Sequence, residues 1–233
     1  MSASHDSARR DYEVGISVEA LAGAWARQED APHGAVVTVA HEISARLRGG
    51  SPWVCNPDSS MSFGVVIRPT LTTDRGDLLW CAAVAGADDG LETVGGLVSP
   101  GWPDELYPAG AVNVTSQLGP TGLVMAIVAV RVDALLAGVH PMSKDDALAA
   151  MVDGVLRSVD QLENDASTVL HRWAERSRLV GRWVRVTRLP RGETRGRVVG
   201  LDAQGALVIA SPTDMLEHIS VTTTNRVHLL DEL

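Results

Sequence analysis

Apolar residues recur at helical spacing along the third quarter of this chain. The spacing predicts one long amphipathic helix, because residues three and four positions apart fall on the same face. Ser143 and Asp146 have the spacing of a capping box at its start. A helix of this length needs a second layer to cover its apolar face. That face consists of Leu148, Met151, Val152, Val155, Leu156, Val159 and Leu162.

Shorter segments before this helix predict the layer that it covers. Ser17 is a good N-cap for an apolar stripe that predicts a helix ending near Gln28. A further helix is predicted from Leu78 to Ala87, ended by the Asp-Asp-Gly that follows. A loop is expected from Arg46 to Asp58. β-Branched runs predict strands at 34–40, 62–68 and 123–132.

The pattern changes after Val180, where short strand-like runs alternate with glycine and proline turns. A short helix from Ala166 to Ser177 precedes this change. The sequence therefore predicts an α+β chain in three parts. They are a flexible tail at 1–14, a mixed sheet with covering helices at 15–179, and a small SH3-like β-barrel at 180–233.

Composition excludes several classes of protein. Of 233 residues, 45% are hydrophobic and 21% are charged, and the net charge is −9, which is typical of an acidic globular protein. We expect no membrane span, no secretion signal and no nucleic-acid partner, and hence a cytoplasmic protein. Cys55 and Cys81 have no partners at metal-site spacing, so no metal site is predicted.

Three segments of the chain resemble the biotin protein ligases, which are related to the lipoate ligases. Residues 143–189, with the GLDAQGALVI run at 200–209, look like the last helices and the barrel of that family. GWPDELYPAGA at 101–111 resembles its Lys-Trp-Pro-Asn-Asp signature and the Lys-Leu-Ala-Gly that follows. ARLRGGSPW at 45–53 is similar to its Gly-Arg-Gly-Arg adenylate loop. The resemblance implies the short form of the family, without a DNA-binding domain.

The resemblance implies a chemistry and a set of site residues. The family joins biotin to ATP, with magnesium, and passes the biotinyl group to a lysine of a carboxylase carrier domain. The ligand-binding residues implied here are Arg46, Arg48, Gly49, Gly50, Trp53, Trp102, Pro103 and Asp104.

The chain departs from the family at positions that carry the reaction. Gly101 and Tyr107 stand where the resemblance implies lysines, and neither side chain is cationic. Leu47 replaces a glycine of the adenylate loop, and the valines within 126–132 are expected to fill space that biotin needs. Because loss of one preorganised donor costs about 10²- to 10³-fold in rate, we expect adenylation to fail.

Three hypotheses about function follow. The first is a non-catalytic relative of the ligases that binds a small molecule or a protein. The second is an active ATP-dependent biotin or lipoyl ligase whose charges have moved to Arg46, Arg48 or another arginine. The third is a cofactor-independent enzyme, with Cys55 as an acyl carrier whose thiol would be activated by His41, Arg46 or Arg48, the candidates near it in sequence.

Arginines cluster between Arg172 and Arg197, around the predicted junction of the two domains. Such a cluster indicates either a solvated surface or a contact with an acidic partner. A carboxylase carrier domain or a subunit of an acyl-handling enzyme is the partner expected at Arg182, Arg185 and Arg188. The sequence leaves a homodimer open.

Overall fold

The amino-terminal part of the chain forms a seven-stranded mixed sheet. The computed structural model describes residues 8–54, 56, 58–140 and 144–230. The sheet order is β1-β2-β3-β7-β6-β5-β4, with β1 and β2 parallel and the other pairs antiparallel. The strands are β1 (Arg9–Gly15), β2 (Val36–Glu42), β3 (Ser60–Ile67), β4 (Ser99–Pro100), β5 (Glu105–Tyr107), β6 (Gly110–Leu118) and β7 (Leu123–Asp133).

The first strand corrects the expected flexible tail. Residues 9–15 pair with β2 along its length, so the part of the predicted tail from Arg9 onward is wrong. Arg10 donates two hydrogen bonds to Glu29, and Thr38 donates one to Asp11. As an edge strand, β1 keeps polar side chains toward solvent, which removes the apolar alternation that would have predicted it. Residues 1–7 lie outside the described part.

One helix covers one face of the sheet, and three helices cover the other. α1 (Val18–Gln28) begins as predicted, since the side chain of Ser17 accepts a hydrogen bond from the backbone N–H of Ala20. α2 (Gly76–Thr93), α3 (Lys144–Asn164) and α4 (Ala166–Arg176) pack on the opposite side. The predicted apolar face of α3 is buried throughout, although Ser143 of its capping box lies outside the described residues.

α2 is longer than the sequence indicates. The helix was expected to end before Asp88, but it continues to Thr93. Asp88 and Asp89 do not end it because they form salt bridges with Arg176 and Arg172 of α4. Gly90 faces the backbone of α3 closely, where a side chain would not fit. The Asp-Asp-Gly sequence therefore marks a helix contact, and the prediction of a helix end there is wrong.

The carboxyl-terminal part forms a five-stranded antiparallel sheet in the order β11-β10-β9-β8-β12. This confirms the α+β class and the predicted strands, while closure into a barrel stays a prediction, since the described pairings are open-ended. Its buried valines and leucines join the core beneath α2. None of the described helices is long and apolar enough to cross a membrane. The strands are β8 (Trp183–Arg188), β9 (Glu193–Leu201), β10 (Leu207–Ala210), β11 (Leu216–Ile219) and β12 (Thr224–Leu229).

Candidate functional site

A cleft of about 330 Å³ lies where the loop after β2, the turn before β5 and strand β12 meet. Four of the predicted ligand-binding residues line it together, namely Arg48, Trp53, Trp102 and Asp104. The structure thus places the loop and the Trp-Pro segment side by side. The remaining lining residues are Leu47, Ser51, Glu105, Gly110, Ala111, Asn225, Arg226, Val227 and His228.

The guanidinium of Arg48 is held by protein groups. It donates to the backbone carbonyls of Thr224 at 2.6 Å and Asn225 at 2.8 Å. Its Nε lies 3.5 Å from the carboxylate of Asp104 and has no hydrogen-bond partner within the described residues. Two of the five N–H donors of Arg48 therefore attach the loop to β12, while Nε faces the carboxylate of Asp104 without a hydrogen bond.

Arg46 and the two loop glycines shape the loop rather than the cleft wall. Arg46 donates to the carbonyl of Gly50 at 3.0 Å, which closes the loop on itself. Gly49 and Gly50 have φ values of 77° and 81°, a left-handed conformation that disfavours side chains. Gly49 lines a polar extension of the cleft beside Asn225. Arg46 is absent from the lining, so the structure does not bring it together with Arg48 at one ligand position.

The two tryptophans play different parts. Trp102 is buried, and its Nε1 donates to the carbonyl of Gly205 at 3.1 Å, so it ties the Trp-Pro segment to the carboxyl-terminal sheet. Pro103 is buried beside it. The indole Nε1 of Trp53 is buried and has no partner among the described residues. An unpaired buried donor costs about 1–3 kcal/mol, so this cleft favours a ligand that offers an acceptor.

The cleft contains acids as well as bases. Burial raises the pKa of Asp104, and the charge of Arg48 opposes that rise. Glu105 lies 3.5 Å from a guanidinium nitrogen of Arg178. The cleft is thus lined by two carboxylates, Asp104 and Glu105, and two guanidiniums, Arg48 and Arg226, which leaves little surplus positive charge for a polyphosphate.

The two positions that should hold lysines are occupied in other ways. At Gly101, a β-carbon would lie 2.5 Å from Oε2 of Glu105, so the acid side chain covers that position. Tyr107 is 44% exposed, and the Arg178 guanidinium carbon lies 3.7 Å from its ring centroid. The pair lines an adjacent cleft of about 230 Å³ with Trp102. Arg178 could not be predicted as a site residue, because no sequence motif links a residue after α4 to Tyr107 at the end of β5.

A buried ion cluster lies beside the cleft floor. Arg131 of β7 is 1% exposed and makes four hydrogen bonds of 2.5–2.8 Å to the carboxylates of Glu19 and Glu42. It also donates to the carbonyl of Arg46. Its register partner Ala111 lines the cleft, so cluster and cleft share one face of the sheet. The pKa of Glu19 is below its usual value: burial raises it, but Arg131 lowers it more.

This cluster corrects the expectation about the valines of β7. Val128, Val130 and Val132 belong to the core beneath α2 and α3, on the opposite face from the cleft. They therefore do not fill ligand space, and that expectation is wrong. Arg131, with its two acids, occupies the cleft side instead. Arg131 is an arginine within an apolar run, and this is the sequence feature that could have indicated a buried ion pair. Its partners Glu19 and Glu42 are too distant in sequence to be recognised from a local pattern.

The other predicted residues lie elsewhere. Cys55 is outside the described residues, so the acyl-carrier hypothesis stays untested. In the part of the chain that the structure describes, no group of acids, histidines and cysteines could hold a metal ion.

The arginine-rich stretch is largely paired with acids, and its three predicted partner-binding residues do not share one face. The alternation of β8 places Arg185 and Arg188 on opposite sides of the strand, and Arg182 precedes it. The salt bridges described are Arg172–Asp89, Arg176–Asp88, Arg176–Glu92, Arg178–Glu105, Arg185–Glu193, Arg188–Glu217 and Arg195–Glu193.

Comparison with known proteins agrees with this architecture. Residues 179–222 match the family model of the biotin protein ligase C terminal domain. The biotin protein ligase from Aquifex aeolicus, solved with biotin and ATP, superposes with a TM-score of 0.74 at 15% identity, covering 95% of this chain and 99% of that one. No curated protein matches the sequence.

Two further solved structures have the same fold. A biotin protein ligase-like protein of unknown function from Silicibacter sp. TM1040 has a TM-score of 0.71 at 12% identity, covering 93% of this chain and 95% of that one. The biotin acetyl coenzyme A carboxylase synthetase from Helicobacter pylori has a TM-score of 0.62 at 12% identity, covering 91% and 100%. The chain therefore has the fold of the biotin protein ligases, and its carboxyl-terminal segment matches their C-terminal domain.

Proposed function

We propose that this protein is a non-adenylating relative of the biotin protein ligases that uses the cleft to bind a small molecule. The observation that carries the proposal is the absence of a lysine at Gly101 and Tyr107, together with Glu105 covering the first position. Adenylation brings a carboxylate onto a phosphate, and cations must stabilise the charge that builds up there. A carboxylate at this point opposes that reaction.

The cleft suits a ligand that is rich in acceptors and carries little net negative charge. Trp53 Nε1 and Arg48 Nε are buried donors without hydrogen-bond partners in the described structure. Asp104 and Glu105 would repel a polyanion placed between them and β12. The residues present therefore do not fit ATP with magnesium.

A protein partner is the second part of the proposal. The partner is a carboxylase carrier domain or a subunit of an acyl-handling enzyme. This part of the proposal is supported by the name of the Helicobacter pylori neighbour, a biotin acetyl coenzyme A carboxylase synthetase.

Pyrophosphate release tests the first part of the proposal. The purified protein, with biotin or lipoate and MgATP, should release none above background, while the Aquifex aeolicus ligase serves as positive control. Calorimetric titration with biotin, with ATP and with a non-hydrolysable biotinyl-adenylate mimic then measures binding separately. Biotin-dependent pyrophosphate release at rates typical of enzymes, about 1 to 10³ per second, would refute the proposal.

One contact favours the active ligase as a second candidate. Arg178 places a guanidinium against Tyr107, so a cation is present beside one of the missing lysines. If pyrophosphate is released, Arg178→Ala should abolish the release and Arg178→Lys should retain part of it. Equal activity of both variants would exclude Arg178 as the relocated charge.

A further inference from the structure

We infer that the solvent-facing side of the carboxyl-terminal sheet, called here the outer face, is a docking surface for an acidic polypeptide segment. Strand register places its side chains in three rows, because directly paired residues point to the same side. The rows are Trp183–Arg197, then His228–Arg185–Arg195, then Arg226–Thr187–Glu193.

The outer face has a surplus of positive charge. Among the paired residues its four arginines share the face with one acid, Glu193, which pairs with Arg185 and Arg195. At its borders Asp214 lies beside Trp183 and Arg197, and Asp104 lies near Arg226. Arg197 and Arg226 form no salt bridge with any described residue. The pKa of His228 is lowered by its burial and by the charges of Arg185 and Arg226, which agrees with a positive local field.

Folding alone does not explain these arginines. The core of the sheet is made by the opposite side of the same strands, where Val184, Val186 and Val198 are buried. Solvent-exposed arginines on the other side contribute little to stability. On a chain with a net charge of −9, a local cluster of four arginines therefore offers a surface of opposite charge to an acidic partner.

The chemistry of the outer face favours a polypeptide over a nucleic acid. Trp183 is 40% exposed and lies in register with Arg197, so an apolar anchor adjoins the positive charge. Tryptophan and arginine are the residues that most often dominate protein–protein interfaces. A nucleic acid would have to approach a strongly acidic molecule with its full phosphate charge, whereas an acidic peptide can place a few carboxylates and one apolar side chain.

The outer face also adjoins the cleft. Arg226 and His228 belong to both, so a segment lying along β8 and β12 would end at the cleft mouth. This inference rests on the partner part of the proposed function but not on the identity of the partner. It holds whether or not the cleft adenylates anything.

Fluorescence anisotropy with defined peptides tests the docking surface. The probes are a fluorescein-labelled oligoglutamate, the same peptide with one central phenylalanine, and a labelled oligodeoxythymidylate of equal length. Wild-type protein should bind both peptides more tightly as salt is lowered, and should bind the phenylalanine peptide best. Trp183→Ala should remove the advantage of phenylalanine and leave oligoglutamate binding unchanged.

A matched pair of charge reversals locates the binding. Arg195→Glu with Arg197→Glu should weaken peptide binding about tenfold or more. Arg27→Glu with Arg157→Glu changes the net charge equally, on exposed helix positions away from the outer face, and should have little effect. Circular dichroism and thermal melting establish that both variants fold.

Three results would overturn the inference: no peptide binding by the wild type at low salt, equal weakening in both double variants, or tighter binding of the oligodeoxythymidylate. If the acidic peptide binds but a carrier domain does not, the proposed partner is rejected. The docking surface itself is then still supported. Pyrophosphate release bears only on the cleft, so the two proposals fail separately.

Discussion

The guanidinium of Arg48 donates a 2.6 Å hydrogen bond to the backbone carbonyl of Thr224, 176 residues further along the chain. A loop that the sequence suggests for phosphate binding is thereby fastened to the last strand of the carboxyl-terminal sheet. A second bond to Asn225 and the contact with Asp104 hold the same group. The carboxyl-terminal sheet thus supplies acceptors that a bound anion would otherwise offer.

Arg48→Gln should release this loop. The charged bonds to β12 are worth about 1–3 kcal/mol and cannot be rebuilt by the shorter amide. We expect faster hydrogen exchange in residues 46–54 and in β12, measured by mass spectrometry. Arg46→Gln is the control, since Arg46 bonds within the loop, and it should leave β12 unchanged. Unchanged exchange of β12 in Arg48→Gln would show that the contact does not hold the loop.

Arg131→Leu should destabilise the fold strongly. It would leave the carboxylates of Glu19 and Glu42 buried without their cation, and loss of one partner from such a cluster costs about 3–5 kcal/mol. Urea unfolding measures the change. The triple variant that adds Glu19→Gln and Glu42→Gln removes the buried charges and should recover much of the loss. A triple variant no more stable than Arg131→Leu would show that charge is not the cause.

The same cluster predicts a pH dependence. The pKa of Glu19 in the fold lies below its usual value of 4.5, because Arg131 outweighs the effect of burial. A carboxyl group with a lowered pKa stabilises the fold above its unfolded pKa, and the contribution is lost as pH falls through the folded pKa. The free energy of unfolding should therefore drop below about pH 4.5, and less steeply in Glu19→Gln. Parallel curves for the two proteins would contradict this.

The architecture could be read from the sequence where local patterns decide it. Ser17 with the stripe behind it gave the start of α1, and the buried face of α3 follows from residue spacing. The edge strand at Arg9–Gly15 could not be predicted, because its side chains face solvent and its pairing with β2 is a long-range contact. The Asp88–Arg176 salt bridge, which lets α2 continue, is equally non-local.

The candidate site was only partly predictable for the same reason. The motifs predicted four ligand-binding residues that the fold places in one cleft, namely Arg48, Trp53, Trp102 and Asp104. Sequence could not show that Arg48 is bound to β12, or that Arg178 lies on Tyr107. Both contacts join segments that are far apart in the sequence, and no local sequence pattern indicates them.

Gly86→Ala should destabilise the contact between α2 and α3. Its β-carbon would lie 2.5 Å from the backbone oxygen of Gly154, so the two helices would have to separate. We expect a loss of about 1–3 kcal/mol in urea unfolding. Gly76→Ala is a matched control in the first turn of α2, where the backbone is helical and nothing lies near the new methyl group. It should be neutral or slightly stabilising. Equal loss in both would reject the packing argument.

Tyr107→Lys should not restore adenylation. The new ammonium would replace the ring on which Arg178 lies, and would meet a like charge where the aromatic face now offers attraction. Adding Gly101→Lys does not complete the site, since its β-carbon would lie 2.5 Å from Glu105, whose carboxylate would pair with the new cation. Both variants should release no biotin-dependent pyrophosphate. Melting temperatures confirm that they fold, and calorimetry with biotin separates failed binding from failed chemistry. Pyrophosphate release by Tyr107→Lys alone would mean that a single charge was missing, and that Glu105 and the Arg48 contact do not oppose the reaction.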